Sequence, residues 1–170
     1  MDLEIPLANG GALLAPRVEA RLVQDLNLSK HDAVLQIGVG TGYITALLAH
    51  KAQRVIALDS REDLVAATRQ NLRQAGIANA DVQQGNGVDG LRGQAPFDAI
   101  LLAGSVQTVP QALLDQLKVG GRLLAIVGNE PVMQATLITR TGDKQFEHQE
   151  LFDTVANRLP GFTNANSFTF

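Results

Sequence analysis

The sequence predicts a doubly wound α/β domain: a mostly parallel sheet with helices on both faces and an antiparallel hairpin at its C-terminal end. Three observations predict it. Short apolar runs alternate with stretches of helical period along most of the chain. The run Val34–Ile37 passes into glycines at alternate positions, Gly38, Gly40 and Gly42, and then into the amphipathic Ile44–Ala49; this reads as buried strand, tight turn and helix start. Near the other end, Thr141-Gly142-Asp143 separates two strand-like runs, the mark of a hairpin. Residues 1–170 read as one domain, long enough for a substantial core.

The elements follow in order. Residues 1–15 read as extended or looped, with a turn at Asn9-Gly10-Gly11. Pro16 opens a helix, because its missing N–H would be unpaired at a first helical position anyway. Val18, Leu22, Val23 and Leu26 make its apolar stripe, and it runs to about Asn27. Strand Ala33–Ile37 leads through the glycines to helix Tyr43–Lys51. Val55–Leu58 is the second strand and ends at Asp59; Ser60 is placed to cap the next helix, with Glu62 and Asp63 in its first turn and Gly76 as its stop. Ala80–Gln83 is a third strand leading to Gly85-Asn86-Gly87, and Phe97–Ala103 a central one. Thr108-Val109-Pro110 opens a helix to about Leu117, with Thr108 as its cap. Gly120-Gly121 then turns into strand Arg122–Val127. Met133–Arg140 and Gln145–Thr154 form the hairpin; the tail from Asn157 to Phe170 has no pattern, and Phe162, Phe168 and Phe170 read as anchors on the body.

Composition narrows the chemistry. Net charge is −3 with acids and bases interspersed, so a basic nucleic-acid footprint is not expected. Without cysteine there is no disulfide, thiolate-bound zinc or thiol nucleophile. No apolar run is long enough to span a bilayer, and the start has neither a basic nor an apolar signal region, so a cytoplasmic protein without membrane contact is expected. His31, His50 and His148 lack ligand spacing and read as surface or packing residues; no metal site is expected.

The unusual residues all fall at the carboxyl ends of the predicted strands, where such sheets bind ligands. Gly38–Gly42 lets a ligand approach bare backbone at the N-terminus of a helix. Asp59, about 20 residues after the first glycine, is placed to accept from both ribose hydroxyls. Asn86 is placed to accept from an adenine amino group, or is an ordinary turn residue. A dinucleotide fingerprint needs a small third residue where this chain has Tyr43, which argues against an NAD-dependent oxidoreductase. The G-x-G-x-G spacing resembles instead the first motif of class I S-adenosylmethionine-dependent methyltransferases.

Further pieces narrow the resemblance. Ala15–Arg21, Val34–Leu48, Gly85-Asn86-Gly87, Ala95–Ile100 and Leu117–Leu123 occur in one consistent order over residues 10–128. Together they resemble the protein-L-isoaspartate O-methyltransferase family. The resemblance implies a Rossmann-like fold, S-adenosylmethionine as cofactor, S-adenosylhomocysteine as product, and a protein or peptide carboxylate as acceptor: the side chain of an isomerised aspartate, methylated to begin its repair. It implies cofactor contacts at Gly38, Val39, Gly40, Thr41, Gly42, Tyr43, Asp59, Ser60, Asn86, Gly87 and Ala103, with Leu14 and Ser105 near the substrate. No charged catalytic residue is expected, because a carboxylate is already a nucleophile and alignment supplies the rest.

The chain departs from the family pattern in ways that bear on activity. Leu14 stands where the family has a serine beside the transferred methyl, Gln36 where it has an acid, and Asn86 where it has an aspartate. The helical segment that precedes the Ala-Pro helix in the family has no counterpart here, and a more open pocket is expected. These departures point to weakened cofactor binding, an altered substrate or lost repair activity. The other reading they allow is a nucleoside-binding partner subunit without catalysis.

Overall fold

The computed structural model describes residues 5–6, 12–40 and 42–162. The Asn9–Gly11 turn, Thr41, Phe168 and Phe170 lie outside the described residues. The elements are β1 (Ile5–Pro6), β2 (Ala12–Leu13), α1 (Pro16–Asp25), β3 (Ala33–Ile37), α2 (Tyr43–Lys51), β4 (Arg54–Asp59), α3 (Glu62–Gln74), β5 (Ala80–Gln84), β6 (Phe97–Val106), α4 (Gln111–Leu114), β7 (Leu117–Asn129), β8 (Val132–Arg140) and β9 (Phe146–Asp153). Among the described residues, β1 and β2 pair as a small antiparallel ribbon, and the others form one sheet in the order β5-β4-β3-β6-β7-β8-β9. Strands β5 to β7 are parallel, and β7-β8-β9 is an antiparallel meander. The predicted class and hairpin are therefore borne out.

Alternation along the strands builds two cores. Val34, Ala99, Leu101, Leu124 and Ile126 face one side, with α1 and α2 packed on them through Leu22, Leu26, Ile44 and Leu48. Their neighbours Leu35, Ile100, Leu102 and Leu123 face the other, where α4 contributes Leu113 and Leu114. A side-chain period of two in strands buried on both faces produces this division. Helix α3 closes the first face over Ala57 and Val82 through Val65 and Leu72. It ends as predicted: Gly76 takes φ +72°, and the Gly76 and Ile77 amides donate back to Arg73 and Leu72, a Schellman stop.

Two predicted caps are corrected. Arg61, not Ser60, occupies the N-cap of α3, and its amide is taken by Asp59 Oδ1 at 2.9 Å. That bond holds Arg61 in an extended conformation, so the helix begins one residue later, at Glu62. Pro110, not Thr108, precedes α4, which is only one turn long. The expected helix to Leu117 is cut short because Gln116 and Leu117 already pair with Phe97 in the sheet. The sheet also extends further than expected: β6 runs on through Ser105, which was expected just beyond the strand.

The order reverses between β3 and β6: the chain moves outward from β3 to β4 and β5, then crosses back to β6 on the other side. Such a reversal leaves a crevice beyond the carboxyl ends of the two central strands. No helix among the described residues is long and apolar enough to cross a membrane.

Candidate functional site

A cavity of about 130 Å³ lies in that crevice. Its floor is the glycine loop after β3. Gly38 and Gly42 both take φ +89°, a backbone region that L side chains rarely enter. A Cβ on Gly42 would meet Thr68 Cγ2 at 2.8 Å, so this glycine seats the turn on α3. Gln36, fully buried beneath the loop, donates from Nε2 to the Gly38 carbonyl at 2.8 Å. The glutamine therefore braces the turn.

Asp59 borders the same cavity. Its Oδ2 accepts from the Val39 amide at 3.0 Å and its Oδ1 from the Arg61 amide. The carboxylate thus joins the glycine loop to the start of α3, and each oxygen keeps a second lone pair for a ligand hydroxyl. Leu14, 7% exposed, and Ala103 on β6 line the cavity as well. So does Glu19, an acid inside the buried stripe of α1. Burial pushes its carboxyl up from 4.5 to about 7, because lost hydration disfavours the charged form.

A strap from the C-terminal side crosses the crest of the sheet. The Ser105 amide donates to the Asn157 carbonyl and the Leu159 amide donates to the Ser105 carbonyl, both at 2.9 Å. Ser105 is completely buried between this strap and β7, whose Ile126 and Val127 pair with Ser105 and Val106 and carry β6 past the expected strand end. Leu159 and Phe162 are both 6% exposed and pack into the second core, so Phe162 is an anchor as predicted. Leu159 also covers Gly38 and Gly104: a Cβ on either would meet Leu159 Cδ2 at 2.9 or 2.8 Å. Beyond it, only about 20 Å³ remains between Ser60, Gly87 and Pro160, room for about one water. The strap therefore narrows the crevice over the residues expected to hold a nucleoside. Asn86 lies at that end, exposed, with its Oδ1 accepting from the Val88 amide at 3.0 Å and Gly161 close by.

A family model for protein-L-isoaspartate(D-aspartate) O-methyltransferase (PCMT) matches residues 1–156. The chain belongs to this family. A protein-L-isoaspartate O-methyltransferase of Methanoculleus marisnigri is 39% identical over 127 residues, covering 75% of this chain and 58% of the relative. One from Ruegeria sp. is 35% identical over 150 residues, covering 88% and 70%. Among solved structures, a protein-L-isoaspartate O-methyltransferase aligns with a TM-score of 0.82 at 24% identity, covering 95% of this chain and 53% of its own. A Plasmodium falciparum protein described as a family member, in complex with S-adenosyl-L-homocysteine, aligns at 0.79 with 23% identity, covering 94% and 80%. The chain thus spans just over half the length of the first relative and of the first structure.

Against the family pattern, the fold brings together Leu14, Gly38, Val39, Gly40, Asp59 and Ala103 around one cavity, and Ser60 and Gly87 around its small extension. It does not bring Tyr43, Gly42, Asn86 or Ser105 to the cavity wall; Tyr43 is 47% exposed on α2. All three histidines are exposed, and no metal-binding group exists among the described residues. Sequence reasoning missed Glu19, Arg158, Leu159 and Pro160. Glu19 had a signal, since it falls on the apolar stripe that Leu22, Val23 and Leu26 continue at helical spacing.

Proposed function

We propose that this member of the PCMT family is an S-adenosylmethionine-dependent carboxyl methyltransferase acting on isoaspartyl residues of proteins or peptides. The observation that carries the reading is the cavity at the β3–β6 reversal, with bare glycine backbone on one side and Asp59 on another. Gly40, together with the start of α2, offers backbone N–H to the amino-acid end of the cofactor, while the Gly38 amide is held by the Leu58 carbonyl. Asp59 suits the ribose hydroxyls. The fit at the adenine end requires the strap to yield, because 20 Å³ cannot hold a nucleobase.

When bound, S-adenosylmethionine supplies an electrophilic methyl that a carboxylate oxygen takes while the C–S electron pair stays on sulfur, so no proton has to leave. The chain's own part is then alignment and exclusion of water. Leu14, Ile44 and Ala103 form an apolar wall that holds water away from the acceptor. Asp59 keeps the loop from shifting by holding the Val39 amide. A cytoplasmic setting, as expected from the sequence, belongs to the same proposal.

Titration calorimetry with S-adenosylhomocysteine, beside transfer of labelled methyl to an isoaspartyl peptide, tests the reading. Binding with turnover supports it. Binding without turnover selects the non-catalytic alternative, which the apolar Leu14 favours. Neither binding nor turnover refutes both.

A further inference from the structure

Leu14 puts no hydroxyl on the cavity wall, and of the two cations there Arg61 is paired with Asp63. Arg158, the other, lines the cavity from the strap. Its Nη2 donates to the Gly128 carbonyl at 2.9 Å and to Asn129 Oδ1 at 2.5 Å, both at the end of β7. Its Nη1 is buried and has no hydrogen-bond partner. No carboxylate among the described residues forms an ion pair with it. Glu19 lines the same cavity but stands outside ion-pair range, and burial alone sets its titration. Arg158 is also bridged to Ser105 across the strap ladder.

A cavity-lining guanidinium with one nitrogen left unpartnered makes an incomplete site. A guanidinium half-tied by neutral acceptors keeps an edge for an anion and matches a carboxylate in shape.

We propose that Arg158 is the carboxylate-binding element of this cavity, on a wall where Leu14 puts no hydroxyl. The inference rests on the methyltransferase reading and deepens it. A carboxylate can come from the acceptor peptide or from the amino-acid end of the cofactor, and the two sources separate experimentally.

The variants are Arg158→Gln and Arg158→Lys, each checked for thermal unfolding. The probes are an isoaspartyl peptide, the same peptide with the carboxylate replaced by an amide, S-adenosylhomocysteine, and 5′-methylthioadenosine, which lacks the amino-acid end. If the acceptor is the source, Arg158→Gln raises KM for the isoaspartyl peptide by about tenfold or more with a smaller change in kcat. It also abolishes the preference for carboxylate over amide peptide in competition, and S-adenosylhomocysteine binding is unchanged. If the cofactor is the source, S-adenosylhomocysteine affinity falls by a similar factor while 5′-methylthioadenosine affinity holds. Arg158→Lys recovers part of either loss, because it keeps the charge but not the fork. A strap anchor without ligand contact would lower all affinities together and leave the carboxylate-to-amide ratio intact; that result, or no change in any affinity, overturns the proposal. Wild-type chain that neither binds nor turns over removes the methyltransferase reading itself, an outcome visible before any variant is made.

Discussion

Replacing Glu19 with glutamine should make the protein more stable at neutral and alkaline pH than at acid pH, relative to wild type. Glu19 is 6% exposed, and burial alone raises its carboxyl from 4.5 to about 7. The folded state therefore holds the proton more tightly than the unfolded chain. That contribution to stability is fully present below 4.5 and is lost as pH rises to and through 7. The full difference corresponds to about 3 kcal/mol, and about 2 kcal/mol once water reaching the cavity side of the carboxyl is allowed for. Glutamine keeps the shape and cannot ionise, so any constant packing or hydrogen-bond cost cancels between two pH values. Urea unfolding near pH 5 and near pH 8 measures the difference as a shift in midpoint at constant slope. The Glu19→Gln gain should be about 2 kcal/mol larger at the higher pH, or about 5 °C in Tm for a domain of this size. A gain that is equal at both pH values, or larger at acid pH, would refute the reasoning.

Gly38→Ala should lower stability by about 1–2 kcal/mol through its positive φ and abolish S-adenosylhomocysteine binding by calorimetry, because the new Cβ meets Leu159 at 2.9 Å over the loop. Leu159→Ala should cost about 2 kcal/mol or more in denaturant unfolding yet raise S-adenosylhomocysteine affinity several-fold, since the side chain covers Gly38 and Gly104; a parallel fall in affinity would mean that the strap supports the ligand. Asp59→Asn should cut affinity by about tenfold, equal to 1.4 kcal/mol, and lower Tm as well, because an amide cannot accept from both the Val39 and Arg61 amides in the same way.

What the sequence disclosed was local, and what it hid depended on distant partners. Helix α2 spans Tyr43–Lys51, as glycine placement and helical period predicted. Asp59 ends β4 because an apolar run stops there. The caps at Ser60 and Thr108 were assigned on propensity alone; the helices start later, after Arg61 and Pro110, and pairing of Gln116 and Leu117 with β6 cuts the far end of α4 short. The strap carries no periodicity because its hydrogen bonds go to Ser105, far upstream; nothing in Asn157–Phe162 announces that partner. Arg158 gained its meaning only when the fold brought it to the cavity and left half its guanidinium unpaired.

Asp59 grips two amide hydrogens that belong to different pieces of the chain, one in the loop and one at the head of α3. Its orientation is therefore set before any sugar arrives, and a guest that leans on the same two oxygens also loads the joint between those pieces. Solvent exchange at Val39 and Arg61 should then slow in concert as the guest is titrated in, which makes a matched pair of amide signals an occupancy gauge that needs no turnover.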